Sequence, residues 1–213
     1  EERMKRLMDS PPRSKLPENL EILMDVPWLQ DIDKRTLTHL NDMVQSRIFA
    51  VGDDLIREGK QGDCFYIIAR GTVKVQMGEE VVSVLGPGSI VGEMSVLNGN
   101  PRTATITAES PVTALRIRIL KAQRLFSESD VLLKNIWELA GQRFAENLLS
   151  KQEPFNIWRK KQFKKWIEKG EIRDITQEQI KDLKYKTWIL LTGSVTLDSD
   201  KEIKTSIEAP AVI

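Results

Sequence analysis

The spacing of apolar residues along the chain changes twice, from helical to alternating near residue 48 and back to helical near residue 119. Apolar positions three to four apart predict helices at residues 16–24 and 33–44. Between residues 48 and 119, short β-branched segments are separated by turns rich in Gly, Pro, Asn and Asp, which predicts a compact antiparallel β-roll. A further apolar stripe over residues 132–148 predicts one long amphipathic helix packed on that roll.

The C-terminal part of the chain repeats part of the roll pattern. Residues 188–197 match the strand, glycine and strand of residues 66–75 at a constant distance of 122 positions. This echo predicts a degenerate second roll, and a coincidence of two short patterns is the alternative. We therefore divide the chain into an upstream helical tail (1–25), a roll domain (26–153) and a basic helical connector with a truncated second roll (154–213). The predicted class is α+β: a jelly-roll-like antiparallel β-roll flanked by helices.

Composition and charge exclude several classes of function. The 32 basic and 31 acidic residues give a net charge of +1, which argues against electrostatic nucleic-acid binding by the whole chain. The single cysteine, Cys64, permits no internal disulfide, and together with the single histidine, His39, it argues against clustered metal ligands and catalytic triads. Such a composition suits an intracellular protein that is not an enzyme and needs no cofactor.

One glycine-rich segment has the composition of an anion-binding loop. It contains Gly92-Glu93 at the start of a short predicted helix, and Arg102-Thr103-Ala104 about nine residues later. This spacing resembles the phosphate-binding cassette of the cyclic nucleotide-binding domain family, and the resemblance extends over about residues 26–150. Val91 departs from the aromatic residue that the family usually has before Gly-Glu. The resemblance implies that cAMP or cGMP is the ligand.

The chemistry of a cyclic nucleotide fits these residue types. Gly92 would allow the backbone close to the sugar-phosphate, and the first N–H groups of the short helix, including those of Met94 and Ser95, would face the anion. Arg102 would neutralise the phosphate charge with its two-pronged guanidinium. Glu93 would accept a hydrogen bond from the ribose 2′-hydroxyl. The alternative is that Glu93 and Arg102 only pair with each other across a loop.

The resemblance also suggests which residues would surround the base. The hydroxyl of Thr103 could bond a guanine in the syn conformation as well as the phosphate, although an ordinary exposed strand threonine is an equal alternative. Arg143 and Asn147 lie one turn apart on the long helix, which channel-type members of the family bring down over the base; solvent exposure of Arg143 is the alternative. The predicted base site comprises Val84, Leu85, Val91, Thr103, Arg143 and Asn147.

The connector between residues 156 and 170 combines basic and aromatic residues. Six Lys or Arg and one acid, Glu168, alternate with Trp158, Phe163, Trp166 and Ile167. A helix that binds a membrane surface or a calmodulin-type partner would have this pattern. We predict instead a solvated connector that packs its tryptophans on the roll.

Other segments bear on the branch of the family. A transcription regulator would place a recognition helix where residues 188–191 predict a strand, and a kinase regulatory subunit would carry a second complete cassette. Residues 14–20 followed by residues 26–29 resemble the junction to the membrane part in channels and transporters, and the second roll resembles the tail of sodium/proton exchangers of sperm. The expected function is a cAMP sensor, responsive to cGMP as well, that gates an attached transporter or channel. Its expected location is the cytoplasmic side of the plasma membrane, in the sperm flagellum.

The expected partners follow from this assignment: the membrane part of the same chain, a homo-oligomer in the full protein, and no nucleic acid. A cyclic-nucleotide-dependent transcription regulator and an assembly domain that binds no nucleotide remain the alternatives.

Overall fold

A computed structural model describes residues 18–150, 152–153, 155–170, 189–190, 194–198, 204–208 and 211–212. Residues 1–17 of the predicted upstream tail (1–25) lie outside the described residues. So do residues 174–183, where a spacing similar to that of residues 31–40 predicts a helix of the second roll. The described helices are α1 (Glu18–Met24), α2 (Lys34–Met43), α3 (Glu93–Asn98), α4 (Ile119–Glu128), α5 (Asp130–Leu149) and α6 (Lys160–Ile167), with 3₁₀ turns at Pro27–Leu29 and Phe155–Ile157.

Eight strands form the roll. They are β1 (Gln45–Phe49), β2 (Asp54–Ile56), β3 (Cys64–Arg70), β4 (Val73–Met77), β5 (Glu80–Leu85), β6 (Ile90–Val91), β7 (Thr105–Ala108) and β8 (Val112–Arg118). They make two four-stranded antiparallel sheets, in the orders β1-β8-β3-β6 and β2-β7-β4-β5. The antiparallel β-roll with flanking helices that the sequence predicted is therefore confirmed.

Strand β3 separates two apolar cores because successive side chains of a strand point to opposite faces. Phe65 and Ile67 face the helices and pack in a cluster with residues of α1, α2, α4 and α5. Tyr66 and Ile68 face the second sheet and pack between the two sheets. Burial on both faces explains why this strand is a continuous apolar run rather than an alternating one.

Two helices around the roll, α2 and α5, begin at polar caps. The Asp33 side chain accepts a hydrogen bond from the Thr36 N–H at 3.0 Å and starts α2. The Ser129 side chain accepts from the Leu132 N–H at 3.3 Å and starts α5 directly after α4.

The Trp28 indole donates to the Gly88 carbonyl at 3.1 Å, and Asn135 of α5 donates to the Trp28 carbonyl at 2.8 Å. These two bonds join the first 3₁₀ turn to the roll and to α5.

The prediction for the connector is wrong in one respect. Phe163 and Ile167, rather than the tryptophans, are buried, and they pack on Ala145 and Leu149 of α5. Trp158 and Trp166 do not pack on the roll and keep 38% and 39% of their surface exposed. Helix α6 therefore docks on α5 through the face that carries Phe163 and Ile167, and not through its tryptophan.

The C-terminal described residues form four strands: β9 (Ile189–Leu190), β10 (Ser194–Asp198), β11 (Lys204–Glu208) and β12 (Ala211–Val212). β10 pairs antiparallel with β11, and β9 pairs antiparallel with β12. The predicted strand near residue 189 is thus present, and its assignment to a degenerate second roll stays a prediction. Among the described helices, none has both the length and the apolar character needed to cross a bilayer.

Candidate functional site

The short helix α3 begins at a glycine that its surroundings require. Gly92 follows β6 with a φ of +83°, a left-handed conformation that residues with a Cβ adopt only under strain. A Cβ at this position would lie 2.6 Å from the Arg102 guanidinium and 2.6 Å from the Ile56 side chain. Gly92 therefore allows Arg102 to pass directly beside the start of α3, and any larger residue would displace it.

Arg102 is the buried cation of the cassette, with 7% of its surface exposed. Its Nη1 donates to the Gly92 carbonyl and to the Ser95 Oγ, both at 2.7 Å. Its Nη2 donates to the Cys64 carbonyl at the start of β3. Three acceptors from two different elements thus fix the guanidinium, so it can meet an anionic ligand without first being ordered.

Glu93 lies beside Arg102 but pairs with a different cation. Its side chain is 6% exposed, and Oε1 accepts a hydrogen bond from Nη1 of Arg143 at 3.0 Å. The same nitrogen of Arg143 also donates to the Ile90 carbonyl. The structure therefore shows a pair between the cassette and α5, where the alternative from sequence was a pair of Glu93 with Arg102.

Two residues of this site were not predicted as site residues. Cys64, predicted only as a small buried side chain, supplies a carbonyl acceptor to Arg102 and places its Sγ 3.9 Å from Nη2. Gly62 lies so close that a Cβ there would be 2.4 Å from the Ser95 Oγ and 2.7 Å from the Arg102 Cζ. The glycine in the Gly62-Asp63 turn was the only signal of this contact in the sequence.

Asp63 and Arg116 form an ion pair beside the start of β3, and their surroundings affect the titration of nearby groups. A hydrogen bond with Cys64, followed by the nearby Arg116 guanidinium, lowers the pKa of Asp63 below its usual value. Arg116 Nη2 lies 2.8 Å from the Asp63 carboxylate. Burial raises the pKa of Tyr66 to about 12, so this phenol stays neutral around physiological pH.

The residues predicted for the base lie in different surroundings. Val91 is 2% exposed and, together with the partly buried Leu85, packs in the core between the sheets. Val84 is 52% exposed, and Thr103 and Asn147 are exposed as well. Of the remaining predicted site residues, Ser95 is buried, whereas Met94 and Arg143 are partly buried. The observed contacts of Arg143 are with Glu93 and the Ile90 carbonyl, so its assignment to the base stays a prediction.

The β-roll and its buried Arg102 beside Gly92-Glu93 define the class of domain. Residues 46–129 match the family model described as the cyclic nucleotide-binding domain. Over these residues the chain therefore matches the cyclic nucleotide-binding domain family, in agreement with the cassette resemblance.

Curated relatives carry similar domains within larger proteins. The chain is 33% identical to a cAMP-dependent protein kinase regulatory subunit from Mycosarcoma maydis, over 50% of this chain and 21% of the relative. It is 30% identical to a cyclic nucleotide-gated potassium channel from Rhizobium etli, over 59% of this chain and 35% of the channel. The chain thus spans between about a fifth and a third of the length of these relatives.

Solved structures show the same fold. One is the cAMP-bound regulatory subunit PfPKA-R, which is 26% identical with a TM-score of 0.52 and covers 60% of this chain and 43% of that one. Another is the regulatory subunit of a cAMP-independent protein kinase A from Trypanosoma brucei, which is 27% identical with a TM-score of 0.52. This match covers 57% of the present chain and 46% of the Trypanosoma brucei chain. The roll is therefore common to PfPKA-R with bound cAMP and to the regulatory subunit of a cAMP-independent kinase.

Proposed function

We propose that this domain binds cAMP, and cGMP as well, and passes the binding signal to an attached membrane transport protein. The observation that supports ligand binding most directly is the buried Arg102 guanidinium, held at Gly92 and Ser95 beside the carboxylate of Glu93. This arrangement offers a cation for one phosphodiester charge and a neighbouring acceptor for the 2′-hydroxyl. The domain would act by binding and not by catalysis.

The route of the signal would be the contact of Arg143 with Glu93. This contact is an ion pair between the cassette and α5, and it lies at a largely buried Glu93 side chain. A ribose hydroxyl that bonds Glu93 would change the balance of interactions that holds Arg143, and hence α5, against the roll. A ligand can shift α5 only if the protein binds that ligand with different affinity in the two positions of the helix. Glu93 is where such a difference would arise.

The attached protein is assigned from the sequence resemblance and from the class of relatives. The Rhizobium etli relative is named as a cyclic nucleotide-gated potassium channel, which supports a transport partner in the same chain. Sodium/proton exchange in the sperm flagellum, on the cytoplasmic side of the plasma membrane, is the specific form of the proposal that the C-terminal tail favours. In that setting the full protein would assemble as a homo-oligomer.

Calorimetric titration of the 213-residue chain with cAMP, cGMP and 5′-AMP tests ligand binding. We expect about one site per chain for the two cyclic nucleotides and much weaker binding of 5′-AMP, whose phosphate carries more charge and lacks the ring. Residues 173–213 contain no Gly-Glu followed by Arg, so we expect the second unit to bind no nucleotide. A stoichiometry near two would contradict this expectation.

A second candidate function is an assembly domain that binds no nucleotide. The Trypanosoma brucei subunit, described as part of a cAMP-independent kinase, shows that likeness of fold alone does not decide the question. The absence of heat with all three ligands, from a chain that unfolds cooperatively, would favour this candidate over the first.

A further inference from the structure

The connector leaves a surface that combines cations with exposed aromatic rings. We define this basic aromatic surface by Ile157, Trp158, Lys161, Lys165 and Trp166. Ile157 is 81% exposed, the two indoles keep 38% and 39% of their surface exposed, and both lysines are exposed. Exposed apolar side chains next to solvated cations are the pattern of a binding surface.

The two indoles are held in place by a small aromatic cluster. The Trp158 and Trp166 rings meet edge to face with centroids 5.9 Å apart, and Phe155 lies 5.5 Å and 4.9 Å from them. Beneath them, Phe163 and Ile167 anchor α6 on α5. The exposed edges are therefore presented by a packed support, so binding would cost little side-chain ordering.

Charge around this surface has one predominant sign. Arg159, Lys164 and Lys169 are exposed beside the two lysines, whereas the acid among residues 155–170 is Glu168. Neighbouring Phe163 and Ile167 are 4% and 7% exposed, so the apolar face that a calmodulin-type partner would grasp is already occupied by α5. What remains exposed suits a flat anionic surface better than a partner helix.

We propose that the basic aromatic surface docks on a phospholipid leaflet that carries anionic headgroups. Indole rings prefer the boundary between headgroups and acyl chains, where the ring contacts apolar groups and the N–H stays hydrated. Lysine side chains extend over the same boundary and keep their ammonium groups at the lipid phosphates. This inference concerns α6 and does not depend on nucleotide binding.

Co-sedimentation of the 213-residue chain with vesicles tests the charge requirement. The vesicles are phosphatidylcholine alone, or phosphatidylcholine with about a third of phosphatidylserine, in 0.1 M salt. We expect binding to the anionic vesicles and a loss of about 25-fold in Lys161→Gln/Lys165→Gln, since each lysine near an anionic membrane contributes about fivefold. The matched control is Lys121→Gln/Arg124→Gln, which removes two exposed cations from α4 and should change binding less than about twofold.

Quenching of tryptophan fluorescence by brominated phosphatidylcholine in the anionic vesicles tests insertion of the indoles. We expect quenching that largely disappears in Trp158→Phe/Trp166→Phe, because the phenylalanines keep the packing but remove the fluorophores at the surface. Unaltered urea unfolding would show that both double variants are folded.

Three results would overturn the proposal. The first is the absence of binding to anionic vesicles, and the second is an equal loss in the α4 control. The third is binding without quenching together with equally tight binding to a single-stranded oligonucleotide, which would identify a nucleic-acid surface.

Discussion

Replacement of Arg102 by alanine should weaken both nucleotide binding and the fold. The side chain is 7% exposed and donates to three acceptors, the carbonyls of Gly92 and Cys64 and the hydroxyl of Ser95. Each hydrogen bond from a charged donor contributes ~1.5–3 kcal/mol, and part of the sum is offset because the variant no longer buries a charge. We therefore expect the free energy of unfolding to fall by about 2–4 kcal/mol.

That loss is smaller than the stability of an ordinary domain, which is about 5–15 kcal/mol. The variant should accordingly remain folded at 25 °C, with a lower urea midpoint and an unchanged dependence on denaturant. Loss of the charge-assisted bond to the phosphate should weaken cAMP binding about 10- to 150-fold. Urea unfolding followed by tryptophan fluorescence and calorimetric titration of the folded variant measure the two effects separately.

Arg124→Ala provides the control, because this arginine is exposed on α4. The hydroxyl of Ser127 donates a hydrogen bond to the backbone carbonyl of Arg124, and alanine keeps that carbonyl. Its unfolding free energy should change by less than about 0.5 kcal/mol. An unchanged urea midpoint in Arg102→Ala would refute the structural role of the guanidinium. An unchanged dissociation constant for cAMP would refute its assignment to the phosphate.

Three further predictions concern the surroundings of the cassette. Arg143→Ala should weaken the attachment of α5 by about 1–3 kcal/mol, because the buried Glu93 loses its partner. Amide hydrogen exchange should therefore rise over residues 140–149. The control Lys134→Ala, on the solvent face of α5, should leave this exchange unchanged. Thr103→Ala should weaken cGMP about fivefold more than cAMP in calorimetric titration, and an equal effect would exclude a contact with the guanine. Tyr66→Phe should reduce the loss of unfolding free energy between pH 10 and 12, because the unfolded chain releases the phenolic proton near pH 10 and the folded one near 12; identical alkaline profiles would contradict this.

Local patterns in the sequence predict the roll but not every helix boundary. Alternation and turn glycines mark the strands because both follow from the geometry of a strand and its turns. Helical spacing was predicted from residue 119 onward and one long helix over residues 132–148, which agrees with α5, but the spacing did not mark α4 as a separate helix. Ser129 nevertheless starts a new helix by accepting the Leu132 N–H, a capping signal that was present in the sequence.

The motif spacing identified Arg102 and Glu93 but not their partners. Two of the three acceptors of Arg102 are backbone carbonyls, which every residue has, so the sequence gives no sign of them. The pair of Glu93 with Arg143 joins residues 50 positions apart and depends on how α5 docks. On α6, Phe163 and Trp166 lie three positions apart, and only tertiary packing decides which of the two apolar faces is buried.

The same packing suggests how a change at the cassette would travel. Glu93 is joined to α5 by Arg143, and two and six residues further along that helix Ala145 and Leu149 carry the side chains of α6. A rotation or displacement of α5 that breaks the Arg143 contact must therefore also move α6, since its anchoring residues Phe163 and Ile167 have their buried contacts on α5. Ligand binding at Glu93 and docking of the basic aromatic surface would then be coupled through one helix, and the coupling would be reciprocal: anionic vesicles should alter the affinity for cAMP by the same factor as cAMP alters the affinity for vesicles.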